Sequence, residues 1–227
     1  MTDKLELLIV EDNIAEAIWA QAEAAKVGLR NFLVAQDLDQ ALTYLEKEPK
    51  YLVSDLFFPA GNINVQPYIE RFLPIYEAFQ NRRFKEIKEE SPVYRAVSVC
   101  AEVFGVTPEE YVEKVMAKLN THQVILKSAR DAVHKRQDYE RFEKFQEVMN
   151  NVRNGTKLPL GISLTEKAKE KGIPNIIVTS TYHHSDEFEA VRELVPHYYD
   201  QVIGEGDQKR KNWEAGIEHV LRLERNK

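Results

Sequence analysis

The chain has 227 residues, 43% of them hydrophobic and 30% charged, with a formal net charge of −6 at pH 7. That length can bury a substantial core in one domain or two, and the acidic balance argues against nonspecific nucleic-acid binding. Cys100 is the single cysteine, which excludes an intrachain disulfide framework. No run approaches the ~20 apolar residues needed to cross a bilayer. The start Met-Thr-Asp-Lys-Leu-Glu has no signal-peptide character, so a cytoplasmic protein is expected.

The first stretch, residues 5–59, alternates strand and helix. Leu5 to Val10 reads as a strand that runs into Glu11 and Asp12. Asn13 is placed to cap a helix through Glu16, Ala20 and Ala24, with Gly28 after its end. Phe32 to Ala35 is a second strand, Asp39 to Lys47 a second helix, and Tyr51 to Ser54 a third strand ending at Asp55. Strands and helices alternating at this spacing predict a parallel, doubly wound sheet.

Residues 60–158 break that rhythm and read as almost wholly helical, with Pro67, Pro74 and Pro92 punctuating the early part. Thr107-Pro-Glu-Glu110 has capping-box spacing. Gln123 to Asn151 is a long helical stretch closed by Gly155. Tyr68, Phe72, Tyr76 and Phe79 recur every three to four residues, as a core stripe does. From Leu160 the strand–helix rhythm resumes: a helix to Gly172, a strand Asn175 to Ser180, a helix Glu187 to Val195, a strand Tyr198 to Ile203 and a helix Trp213 to Arg225. The expected organisation is one α/β domain of residues 1–59 plus 159–227, interrupted by a helical insertion domain of residues 60–158.

In an open parallel sheet, ligands bind beyond the carboxyl ends of the strands. Adjacent first and third strands would gather Glu11, Asp12 and Asp55 at one rim. Carboxylates crowded in this way repel unless a hard cation joins them, and Mg²⁺ with oxygen ligands suits the set. His183-His184 lacks a further ligand at metal spacing and reads as a solvated loop pair. His122 and His134 read as surface positions. The basic clusters Arg82-Arg83-Phe84-Lys85 and His134-Lys135-Arg136 lie among acids and read as solvated helix faces.

These residues resemble the receiver domain of bacterial two-component response regulators, over the two flanking parts of the chain. Glu11 and Asp12 match the acidic pair after the family's first strand, and Asp55 matches the phosphoacceptor that ends the third. Phe58-Pro59 stands where the family often has Met-Pro, and Gly161 matches the glycine that opens the third helix. Thr179 and Ser180 match the hydroxyl and small residue that end the fourth strand. The resemblance implies a flavodoxin-like fold with five parallel strands. The helical insertion would fall between its third strand and third helix. It also implies Mg²⁺ held by Glu11, Asp12, Asp55 and the backbone carbonyl of Phe57, with Thr179 sensing the phosphoryl group.

The implied partners are a histidine kinase or phosphotransfer protein and a downstream protein. The expected chemistry is at most self-phosphorylation from a phosphodonor and autodephosphorylation. No separate output domain, membrane association or nucleic-acid contact is expected. The lysine that the family carries just after its fifth strand is absent from the aligned place, where Val202-Ile203 runs into Gly204-Glu205. Lys209 and Lys211 come a few residues later, and Gln201 takes the place of the fifth-strand aromatic, with Tyr198 and Tyr199 close by. A phosphorylation-independent pseudo-receiver, acting as an interaction module, is the alternative expectation. A phosphatase would want a second acid where Phe57 stands.

Overall fold

A computed structural model of the chain describes residues 4–90, 99–107, 110–111, 137–180, 185–195, 197–199, 202–204 and 209–225. The chain divides into two compact units, residues 1–76 with 148–227, and residues 77–147.

The first unit is built on five short parallel strands. These are β1 (Leu7–Val10), β2 (Phe32–Ala35), β3 (Tyr51–Ser54), β4 (Asn175–Val178) and β5 (Tyr198–Tyr199), in the order β2-β1-β3-β4-β5. This is the strand order of flavodoxin-like doubly wound sheets. Every residue of β1 and β3 is buried, as expected of central strands covered on both faces. Edge strands β2 and β5 are only partly covered.

Helices clothe both faces. α1 (Ile14–Lys26) starts where the Asn13 side chain accepts the N–H groups of Ala15 and Glu16, at 2.9 and 3.3 Å. It packs with α7 (Trp213–Arg225) on one face. There Leu7, Ile9, Val53, Ile176 and Val178 meet Ala20, Ala24, Trp213, Ile217 and Val220. α2 (Leu38–Leu45), capped by Asp37, and α5 (Leu160–Glu170) cover the other face. Alternate strand residues feed the two layers, as the period-2 geometry of a strand requires.

Between β3 and α5 lie α3 (Gln66–Glu90) and α4 (Gln137–Arg153). Among the described residues from 60 to 158 the regular structure is helical, including a short run at 99–103. Pro74 sits inside α3 and does not end it, contrary to the sequence expectation. Pro92, His122 and His134 lie outside the described residues, as do 123–136 of the expected long helix. Phe72, Tyr76 and Phe79 are buried, as their spacing predicts. Within the second unit the Phe79 and Phe145 rings pack at 5.4 Å. The capping box also forms there: Thr107 Oγ1 accepts the Glu110 N–H at 3.2 Å and a Glu110 carboxylate oxygen accepts the Thr107 N–H at 3.1 Å.

Two elements differ from the sequence reading. The helix expected at Glu187–Val195 is one turn, α6 (Asp186–Glu189), followed by a 3₁₀ turn at Arg192–Leu194. The strand expected at Tyr198–Ile203 splits. Tyr198 and Tyr199 join the sheet, whereas β6 (Val202–Ile203) pairs antiparallel with β7 (Arg210–Lys211) as a separate ribbon. Val202 is 44% exposed, so the chain has already left the buried sheet at that point. Nothing in the two charged residues of β7 signals a strand.

A candidate acidic pocket at the carboxyl edge of the sheet

The register of the central strands makes the pocket. Val10 of β1 stands opposite Ser54 of β3, so the next residues, Glu11 and Asp55, emerge side by side. The main chain locks this edge: Asp55 N–H donates to the Val10 carbonyl at 2.8 Å, and Glu11 N–H to that of Ala35 at 2.9 Å. Both side chains are buried, and Asp12 is exposed. Carboxylate oxygens of Glu11, Asp12 and Asp55 lie within 4.8 Å of one another and can hold a metal ion. Three oxygen donors of this kind suit a hard divalent cation.

A cation from the chain also enters the pocket. Lys211 Nζ lies 2.5 Å from Glu11 Oε2 and 2.8 Å from Asp55 Oδ2. The other oxygens meet main-chain donors: Asn13 N–H reaches Glu11 Oε1 at 2.9 Å, and Leu56 N–H reaches Asp55 Oδ1 at 2.7 Å. This lysine stands seven residues beyond Gly204, at a position that the sequence reading noted without placing. Its only sequence signal is the basic run Lys209-Arg210-Lys211, one residue short of Trp213.

The electrostatics follow from burial. Burial, and then the neighbouring Asp55 charge, push the Glu11 carboxyl up to about 7 against the pull of Lys211. Burial likewise raises Asp55, while Lys211 and the Leu56 N–H oppose it. Burial works to lower Lys211, but the two carboxylates outweigh it and hold the ammonium above its ordinary value. Three carboxylates face one ammonium, so the pocket carries excess negative charge that a divalent cation would offset.

Thr179 follows β4 directly, is buried, and donates its N–H to the Tyr199 carbonyl at 2.8 Å. Since Ser54 stands opposite Ile177, Thr179 lies one residue beyond the level of Asp55 on the neighbouring strand. Gly161, in the first turn of α5, packs on the peptide after Asp55, and its N–H donates to the Leu56 carbonyl at 3.1 Å. Phe57 and Phe58 are buried. An open cleft of about 360 Å³ lies beside the pocket, lined by Asp12, Phe57, Pro59, Asn151, Thr156 and Lys157 among others. Lys157 lies 4.9 Å over the Phe57 ring and pairs with Glu187 at 2.9 Å. His183 and His184 fall outside the described residues, and among those described no helix is long and apolar enough to cross a membrane.

Asp55, Glu11, Asp12 and Lys211 thus form one constellation, with Thr179 on the next strand. No family model, curated protein or solved structure matches this chain.

Proposed function

We propose that the chain is a response-regulator-like signalling protein that accepts a phosphoryl group on Asp55 and signals through protein–protein contacts. The observation that carries this reading is the Lys211 ammonium seated between Glu11 and Asp55 at the carboxyl edge of β1 and β3. A receiver needs an acceptor carboxylate, acidic partners and one fixed cation, and here all of them converge from separate parts of the sequence.

In the proposed reaction an Asp55 carboxylate oxygen attacks phosphorus. The bond to the leaving group breaks, and an acyl phosphate forms. Phosphoryl transfer depends mainly on positioning and on neutralising charge. Mg²⁺, held by Glu11, Asp12, Asp55 and the Phe57 carbonyl, would supply most of that neutralisation when bound. Lys211 favours the ionised form of Asp55 against the effect of burial and offsets charge on the incoming group. The Thr179 hydroxyl donates to a phosphoryl oxygen, which makes it the sensor of modification. The cleft beside Asp12 and Phe57 is the route by which a phosphodonor reaches the buried aspartate. Its partners in this reading are a histidine kinase or phosphotransfer protein and a downstream protein. Residues 60–158 act as a helical insertion domain between the acceptor strand and the third helix of a receiver fold.

The test is intact mass after incubation with Mg²⁺ and acetyl phosphate, with Asp55→Asn in parallel. One phosphoryl group on the parent and none on the variant is the expected result. No adduct on a folded, cation-binding parent would overturn the reading in favour of a phosphorylation-independent interaction module. The near-complete burial of Asp55, 6% exposed, is the observation that favours that second reading.

A further inference from the structure

Lys211 enters the pocket from an unusual support. Among the described residues it belongs to a two-residue strand paired with another two-residue strand, and such a ribbon has little stability of its own. Docking on α1 supplies the missing support. The Glu16 carboxylate accepts the main-chain N–H of Lys211, at 3.2 Å to each oxygen, and the indole N–H of the buried Trp213 at 2.8 Å. Strand alternation sends Arg210 the other way. Its guanidinium lies 5.7 Å over the Trp19 ring and 3.4 Å from Glu23, both also on α1. Glu16 therefore grips the backbone of the residue whose side chain neutralises Glu11 and Asp55.

We infer that Glu16 is a positioning residue that holds Lys211 in the acidic pocket and thereby sets how tightly the pocket takes a divalent cation. The inference rests on the metal-binding part of the proposed function, not on phosphorylation. With Glu16 in place, the ammonium is fixed where it competes electrostatically with an incoming cation. Without it, the four-carbon stem is free to carry the ammonium to solvent, leaving Glu11, Asp12 and Asp55 to face the metal alone. The sign of the effect is diagnostic. Loss of a nearby carboxylate by itself weakens cation binding, whereas release of Lys211 strengthens it.

The experiment is Mn²⁺ binding, followed by electron paramagnetic resonance at constant ionic strength, on the full chain and its Glu16→Ala, Glu16→Gln, Lys211→Met, Asp55→Asn and Glu16→Ala/Lys211→Met variants. Glu16→Ala should bind Mn²⁺ about tenfold more tightly than the parent, and Lys211→Met at least as tightly as Glu16→Ala. Glu16→Gln, whose amide oxygen still accepts the Lys211 N–H, should stay near the parent. The double variant should bind no more tightly than Lys211→Met alone, because removal of Glu16 strengthens binding only through the lysine. Unchanged or weaker binding by Glu16→Ala overturns the inference, as does a strengthening on removal of Glu16 that persists without Lys211. If Lys211→Met does not fold, the sign of the Glu16→Ala change decides. Absence of parent binding that Asp55→Asn abolishes would instead overturn the metal-pocket reading itself.

Discussion

The packing of α5 against the acceptor peptide makes Gly161→Ala a sharp test of how the pocket is built. A Cβ at position 161 would stand 2.2 Å from the Asp55 carbonyl oxygen and 3.0 Å from the Leu56 Cα. Carbon and carbonyl oxygen ordinarily approach no closer than about 3.3 Å, so roughly 1.1 Å of separation must be found. Both obstructing atoms are main chain, and no rotamer change relieves them. Asp55 N–H is bonded to Val10, and Leu56 N–H to the Asp55 side chain.

The helix start must therefore back away, stretching the Gly161 N–H bond to the Leu56 carbonyl. Overpacking of this kind costs up to about 3 kcal/mol and the lost bond about 1, while alanine returns about 1 in helix propensity. The expected loss is about 3 kcal/mol, read from urea unfolding followed by far-ultraviolet circular dichroism. Gly172→Ala is the control. Its φ is +70° and no atom stands within 4 Å of the added carbon, so it should lose only about 1 kcal/mol, from left-handed backbone strain. A Gly161→Ala loss no larger than that of Gly172→Ala would refute the close approach.

Other perturbations read other parts of the molecule. Glu11 holds its proton to about pH 7 rather than the ordinary 4.5. The folded state therefore keeps a proton that the unfolded chain has released, and stability should fall as pH rises between those values. In a chelating buffer, Glu11→Gln should flatten this dependence of the urea midpoint, and an unchanged slope would contradict it. Lys211→Met should cost about 3 to 5 kcal/mol near pH 8, since it leaves two buried carboxylates without their cation. Added Mg²⁺ should recover part of that loss in thermal unfolding. Tyr76→Phe should lose about 1 kcal/mol in the same assay, because the buried hydroxyl donates to the Glu187 carbonyl at 3.1 Å. Arg71→Ala should lose about 1 kcal/mol or less despite two 2.6 Å contacts to Glu166, because both side chains are a third or more exposed.

The sequence alone was enough to place the sheet and its rim of carboxylates. Apolar runs of four residues, each followed by a helical period, have few ways to bury themselves other than as parallel strands, and parallel strands bring their carboxyl ends to one side. Glu11 and Asp55 were therefore legible as neighbours, Asn13 as a cap, and the Phe72–Phe79 stripe as core, because each is set by local periodicity or local hydrogen bonding. Lys211 was not legible in this way. Its strand is two charged residues long, beyond a departure of the chain from the sheet, and no periodicity marks it. What puts its ammonium between Glu11 and Asp55 is pairing with β6 and the grip of Glu16, which also takes the Trp213 indole, contacts between residues up to 197 positions apart. Such long-range contacts leave no trace in sequence spacing, so only the tertiary structure could decide which cation completes the pocket.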